Sequence, residues 1–323
     1  MRASLFLVLA ACSSDPVMTS GDAGSDSPMM MTGADGAMTR MESGTDSSSS
    51  DSGPTGCIDS TAPGDHHFTC DGFVYDVSVP PNCTSGCGVV LDVHGATMSG
   101  KMEDNNTNMR ALGAMYGYVV VQPNANPAPP TSSWTPATDD DKVFKTLQLV
   151  MTAFQSNPKK IHMTGFSQGG MMTFRFLCKH ADVFASMAPA AGTGCTFTQG
   201  DTPSREVPLL YMHGTKDNLV NFQGAAVPQR NAVMTGWKTD QGTMIAGDAN
   251  FTRTRYVTQS GTPFEFIQHD YSASSFVLGG HCYPGSTDPG GEKGQLFPFN
   301  CVKPNAFTWG DEAMKFFMAH PKP

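Results

Sequence analysis

The sequence predicts an α/β fold: a mostly parallel, twisted sheet with helices on both faces. Three observations lead there. Short apolar runs alternate with stretches of helical spacing from residue 73 to 319. The run Gly88-Val89-Val90-Leu91-Asp92-Val93 is apolar at almost every position, as a strand buried on both sides requires. Lys160-Ile161-His162-Met163-Thr164 leads through a glycine-rich turn directly into the helical pattern of 171–178, the order in which strands and helices join in parallel sheets.

The elements follow in order. Residues 73–79 alternate and read as a strand, and 88–93 form a buried strand ending in His94-Gly95. Residues 118–121 form the next, ending at Gln122-Pro123-Asn124. Asp139-Asp140-Asp141 caps a helix running to about Gln155. Strands over 161–164, 183–188, 207–212, 251–258 and 264–269 complete the sheet, with helices near 168–179, 227–240 and 307–319. No internal repeat is evident.

Composition divides the 323 residues into three parts. Residues 1–12, MRASLFLVLAAC, combine one arginine, a short apolar run and small residues, as an export signal does. Leu9-Ala10-Ala11-Cys12 resembles the bacterial lipobox, so Cys12 is the expected lipid anchor of a cell-surface, outer-membrane lipoprotein. Residues 13–56 are rich in Ser, Gly, Asp, Thr and Met and carry seven acidic residues against one basic. Six of the chain's nine net negative charges therefore lie in a segment that cannot bury a core and is expected to be a disordered acidic linker. Residues 57–323 form the predicted catalytic domain, of a length that suits one α/β unit. Its charge is close to balanced and it has no basic run, which argues against nucleic acid as a partner. No later apolar run reaches the roughly 18 residues of a membrane span.

Eight cysteines follow Cys12, at 57, 70, 83, 87, 178, 195, 282 and 301. An even number behind an export signal indicates disulfides. Pairing of near neighbours (57–70, 83–87, 178–195, 282–301) is the simplest of the 105 arrangements. None of the pairs has the C-x-x-C spacing of a zinc site, and no metal or other cofactor is expected.

The glycine-rich turn carries the chemistry. Gly165-Phe166-Ser167-Gln168-Gly169 matches Gly-x-Ser-x-Gly at a strand-to-helix junction, the pattern of a nucleophile elbow. The glycines keep Cβ atoms out of a crowded turn, and the helix N-terminus aims free N–H groups where charge develops. An acid is then expected beyond a later strand. In VPLLYMHGTKDNLV, the first acid after the strand and its His213-Gly214-Thr215 turn is Asp217. The base should lie on a loop after the last strand, where HDYSASSFVLGGHCYPG offers His269 and His281. His269 ends a strand pattern and reads as structural. His281 sits in a loop of glycine, proline and cysteine, suited to an imidazole that must hold one tautomer. One oxyanion donor is the N–H of Gln168. The other comes from the loop after an early strand, with Ala96 the first choice and Thr97 the second. His94 reads as structural.

These residues carry a resemblance. The blocks LDVHGA, WTPATDDDKVFKTL, IHMTGFSQGGMMTFRFLCKHADVFASMAPAAG, LLYMHGTKDNLVNF, GGHCYPG and WGDEAMKFFMAHP, with Trp237, span most of residues 71–320. Together they resemble the polyhydroxybutyrate depolymerase, feruloyl esterase and acetylxylan esterase group, carbohydrate esterase family one, within the α/β-hydrolase superfamily. The resemblance implies a secreted serine carboxylester hydrolase with the triad Ser167, Asp217 and His281. It also implies that Trp134 approaches the substrate and Tyr283 lines the acyl pocket. The chain departs from the group in three places. Gln168 stands where Asn or Ser is more common, His281-Cys282-Tyr283-Pro284 replaces His-Thr-Trp-Pro, and a Gly/Pro-rich insert occupies 285–304. The substrate implied is a feruloyl or acetyl ester of plant polysaccharide, with an aliphatic polyester as the alternative. A serine peptidase would need an amine-recognising carboxylate pocket or an added domain, and neither is evident. A binding protein without turnover would not be expected to keep all three triad members.

Overall fold

The computed structural model describes residues 56–323. The expected export signal, Cys12 and the linker through residue 55 lie outside the described residues. The chain runs β1 (Gly64–Cys70), β2 (Phe73–Val79), β3 (Gly88–Val93), α1 (Gly100–Thr107), α2 (Met109–Tyr116), β4 (Tyr118–Asn124), α3 (Thr138–Ala153), β5 (Ile161–Phe166), α4 (Gln168–His180) and β6 (Ser186–Ala190). It continues through β7 (Leu209–Gly214), a π-helical turn (Phe222–Ala226), α5 (Val227–Gly236), β8 (Thr243–Gly247), β9 (Phe251–Val257), β10 (Pro263–His269) and α6 (Trp309–Ala319).

Among the described residues, ten strands make one sheet in the order β1-β2-β4-β3-β5-β6-β7-β10-β9-β8. The centre, from β4 to β10, is parallel, and antiparallel strands close both edges. Side-chain parity assigns the two faces. Val89, Leu91 and Val93 of β3, Val119 and Val121 of β4, and Leu209 and Tyr211 of β7 bury one face with Val143 and Leu147 of α3, Phe174 of α4 and Val233 of α5. The intervening Val90, Val120, Leu210 and Met212 bury the other, with Met102 of α1, Leu112 of α2 and Met314 and Phe317 of α6. A strand coated on both faces cannot alternate apolar and polar, which is why β3 reads as one continuous apolar run.

The differences from the sequence reading have local causes. The helix expected from Asp139 starts at Thr138, and its aspartates lie in the first turn. Asp139 accepts from the Thr135 N–H at 2.7 Å, and Asp140 takes a two-pronged contact from Arg175 at 2.6 and 2.7 Å. The strand expected over 183–188 pairs with β5 only from Ser186, and extends to Ala190 beside Phe166. The helix expected to reach 240 ends at Gly236. β1, β8, α1 and α2 were not anticipated. The disulfides are Cys57–Cys70, Cys83–Cys87, Cys178–Cys195 and Cys282–Cys301, the near-neighbour set. No helix among the described residues is long and apolar enough to cross a membrane.

Candidate active site

Every candidate residue lies beyond the C-terminal end of a parallel strand, where ligands of open α/β sheets bind. Ser167 follows β5, Asp217 follows β7, His281 follows β10, and the His94-Gly95-Ala96 turn follows β3.

Ser167 has φ 54° and ψ −117°, a conformation that L residues rarely adopt. The surrounding packing enforces it. A Cβ on Gly169 would lie 1.8 Å from the Val93 carbonyl oxygen, and one on Gly165 would lie 2.6 Å from the Gly169 backbone. Only glycine lets β3, β5 and α4 approach this closely. Gly169→Ala is therefore expected to destabilise the fold by about 3 kcal/mol or more, toward the upper end of overpacking costs. A chemical denaturation midpoint unchanged from the parent would refute this.

Asp217 and His281 are buried, and the His281 Nδ1–H donates to Asp217 Oδ2 at 2.7 Å. Asp217 Oδ1 accepts the backbone N–H groups of Leu219 at 2.8 Å and Val220 at 2.7 Å. His213 Nε2 lies 3.3 Å from Oδ2 while donating to the Val220 carbonyl at 2.8 Å. Burial pushes the Asp217 pKa up, but the His281 charge and the His213 and His281 hydrogen bonds outweigh burial and hold it well below the usual carboxylate range. Asp217 is thus a fixed anion. The His281 ring packs on Phe166, centroids 4.6 Å apart, which sets it beside the residue preceding Ser167. His269, the other candidate base, is buried at the end of β10, and burial pushes its pKa down to about 3.

The two oxyanion candidates are locked to one another. The Gln168 Oε1 accepts the Trp134 N–H at 2.9 Å, and the Trp134 indole N–H donates to the His94 carbonyl at 2.8 Å. His94 Nδ1 donates to the Gly95 carbonyl at 2.7 Å, and its Nε2 accepts the Ala125 N–H at 3.0 Å. Burial drives the His94 pKa down to about 4, so this histidine is a neutral strut. Thr97, the second-choice donor, engages its N–H with the Ser132 carbonyl at 2.8 Å, which leaves Ala96. Ala96, Ser167 and Gln168 are all half-buried, and a Cβ on Gly95, next to Ala96, would lie 3.0 Å from the Ser167 Cβ.

Both aromatic expectations are corrected. Trp134 is only 3 % exposed, wedged between His94 and Phe73, and it holds the β3 turn rather than offering a face to substrate. Tyr283 is wholly buried, stacked on Phe166 at 4.0 Å with its hydroxyl on Glu103. The sequence reading missed His213 and Gly95. Gly95 abuts the Ser167 Cβ, and its place in the His-Gly-Ala turn was the available signal. Among the described residues, one His/Cys/Asp/Glu cluster is close enough to hold a metal ion, Cys178, Cys195 and Asp201. Its two sulfurs are joined in a disulfide and cannot act as thiolates.

The Ser167 turn, Asp217 and His281 beyond the ends of a central parallel sheet decide the fold. The chain has the α/β-hydrolase fold. Residues 88–236 match the dienelactone hydrolase family. The chain is 26 % identical over 147 residues to the bifunctional acetylxylan esterase/xylanase XynS20E of Neocallimastix patriciarum, and 38 % identical over 77 residues to feruloyl esterase B of Piromyces equi. These stretches cover 46 % and 21 % of this chain, and 22 % and 13 % of the two relatives. The acetyl xylan esterase from Aspergillus awamori superposes with a TM-score of 0.53 at 14 % identity, covering 63 % of this chain and 92 % of that chain.

Proposed function

We propose that this protein is a secreted carboxylic ester hydrolase of the α/β-hydrolase superfamily, acting through an acyl-enzyme on feruloyl or acetyl esters of plant polysaccharide. The observation that carries the reading is the buried Asp217–His281 pair, 2.7 Å apart, packed against the strained turn that presents Ser167. In the first half-reaction Ser167 Oγ attacks the ester carbonyl carbon and its proton passes to His281 Nε2. The Gln168 and Ala96 N–H groups receive the developing oxyanion. The intermediate collapses, the alkoxide takes the proton from His281 and leaves as alcohol, and Ser167 stays acylated. Water then attacks the acyl-enzyme, giving its proton to His281, which returns it to Ser167 as the acid departs. Asp217 keeps the Nδ1–H toward itself throughout.

The similarity to acetylxylan and feruloyl esterases supports the polysaccharide ester, and the four disulfides support export. Cys12 as a lipid anchor completes the proposed location on the cell surface. An aliphatic polyester is the second reading, favoured by Phe276. This phenylalanine is 88 % exposed on the loop leading to His281, and its carbonyl accepts from Asn218 beside Asp217. Turnover of methyl ferulate, acetylated xylan and a hydroxybutyrate polymer, measured side by side, decides between them. Turnover of the polymer alone would replace the polysaccharide reading, and turnover of no ester would end both.

The base loop yields a further prediction. Cys282–Cys301 closes a loop of sequence separation 19 next to His281. Both sulfurs are buried, so paired Cys282→Ser and Cys301→Ser substitutions test the bond better than reduction. The loss expected from the chain-entropy model is about 3 kcal/mol. Turnover should fall with it, because the loop that carries the base loses its clasp. A double variant as stable and as active as the parent would refute this.

A further inference from the structure

Behind the base loop lies an acidic cluster that the ester chemistry leaves unused. Asp92 of β3 and Glu103 of α1 are both fully buried. Asp92 Oδ2 accepts from Thr107 Oγ1 at 3.0 Å and Gln122 Nε2 at 2.8 Å. Glu103 Oε2 accepts the Tyr283 hydroxyl at 2.5 Å. The remaining oxygens, Asp92 Oδ1 and Glu103 Oε1, are buried without a hydrogen-bond partner. Thr107 Oγ1 ties the two residues together, donating to Asp92 Oδ2 at 3.0 Å and to the Glu103 backbone carbonyl at 3.1 Å, and each carboxyl acts electrostatically on the other. As two anions they would combine like-charge repulsion with two desolvated oxygens. One proton between them satisfies both.

The surroundings do not supply a neutralising charge. Asp104 on α1 faces both carboxyls with the same sign, and Asp288 on the 285–304 insert faces Tyr283. Arg110 on α2 is directed to Gln122 at 2.7 Å, Asp76 at 3.2 Å and Asp104 at 3.8 Å. α6 reaches this region with Gly310 against the Thr107 carbonyl. Burial, the largest influence on each, pushes the Asp92 pKa to about 6 and the Glu103 pKa well above its ordinary value.

The cluster joins the parts of the site. Asp92 lies two residues before His94 in the turn that offers Ala96. Tyr283 lies two residues beyond His281, and its ring stacks on Phe166, which also carries the His281 ring. We propose that Asp92 and Glu103 share a single proton and, through Tyr283, act as positioning residues that hold the His281 loop against the Ser167 elbow only while that proton is retained. The positioning role rests on the proposed triad; the shared proton does not. A proton held more tightly in the folded than in the unfolded chain stabilises fully below the ordinary carboxyl pKa, and its contribution is lost as pH rises through the folded value. Turnover should therefore decline on the alkaline side as the deprotonated pair forces α1 and β3 apart.

Two measurements test this. Infrared spectra of the whole protein should show a protonated-carboxyl stretch at neutral pH that disappears in both Glu103→Gln and Asp92→Asn and persists in Ser167→Ala. In kcat against pH on a soluble ester, the parent should show an alkaline fall with little change in KM. Glu103→Gln and Asp92→Asn each replace the shared proton with an amide N–H, and both should lack that fall. Glu103→Leu removes the acceptor of Tyr283 and leaves Asp92 unpaired, so its kcat should drop about tenfold, the equivalent of one lost hydrogen bond. If one amide variant does not fold, the other carries the test. Absence of the band in the parent overturns the shared proton, and an alkaline fall unchanged in the amide variants overturns its coupling to the site. Turnover surviving in Ser167→Ala would overturn the triad and the positioning role together while the band stood.

Discussion

Ser167→Ala is expected to abolish ester turnover, by about a millionfold in kcat, without loss of the fold. The alanine keeps the Ser167 Cβ, beside which only a glycine fits at 95 without crowding, and removes only the oxygen that would carry the acyl group. The strained turn is held by Gly165 and Gly169 against Val93, and these contacts do not involve the hydroxyl. His281→Ala should cost turnover about as much, since nucleophile and base act as one unit. It should differ in stability. Removing the ring strips Asp217 of its 2.7 Å partner and leaves a hole over Phe166, so the melting temperature should fall for His281→Ala and hold for Ser167→Ala. The comparison separates chemistry from packing. Substantial ester turnover by Ser167→Ala would sink the proposed mechanism.

The elements that came through in the sequence are those whose environment is set locally or uniformly. β3, β5 and β7 are buried at every position, so no alternation was needed to recognise them. The elbow is one turn of chain, and its glycines announce the crowding by β3. The disulfides follow near-neighbour pairing because each closes a short loop. Other elements depend on partners the sequence does not show. β8 is exposed at all five positions, so its short Met244-Ile245-Ala246 run is not the imprint of a core, and β1 reads GDHHFTC, apolar only near its end. α1 is largely polar and is separated from α2 by Asn108 in a left-handed conformation, which breaks the helical period. The resemblance implies substrate contact for Trp134 and Tyr283, but the residues that bury them, Phe73 and His94 for the one and Phe166 and Glu103 for the other, are distant in sequence. Asp92 interrupts the apolar run of β3, but nothing in the sequence pairs it with Glu103, eleven residues on.

Asp217→Asn should lower kcat by roughly ten-thousandfold while leaving the fold nearly intact. The hydrogen bonds show why a nearly isosteric change costs so much. The Leu219 and Val220 N–H groups both point at Oδ1, so an asparagine must place its carbonyl oxygen there and its NH2 group at the Oδ2 position. That NH2 then faces His281 Nδ1, which must accept. The imidazole proton moves to Nε2, toward Ser167, and the base is in the wrong tautomer to take the serine proton. His213 cannot relieve the conflict, because its Nε2–H is committed to the Val220 carbonyl and would also confront the NH2 group. KM should change little, since nothing that would touch the acyl group or the alcohol has moved. Loss of the fixed anion should also appear in stability against pH. The Asp217 pKa is depressed in the folded state, so the parent gains stability above the ordinary carboxylate range and loses it as pH falls toward the depressed value. The asparagine variant should lack that acid-side decline. Measuring kcat and denaturant midpoints from acid to neutral pH checks both effects. An Asp217→Asn protein retaining more than about a tenth of parental kcat would remove Asp217 from the triad and leave orientation of His281 to another residue.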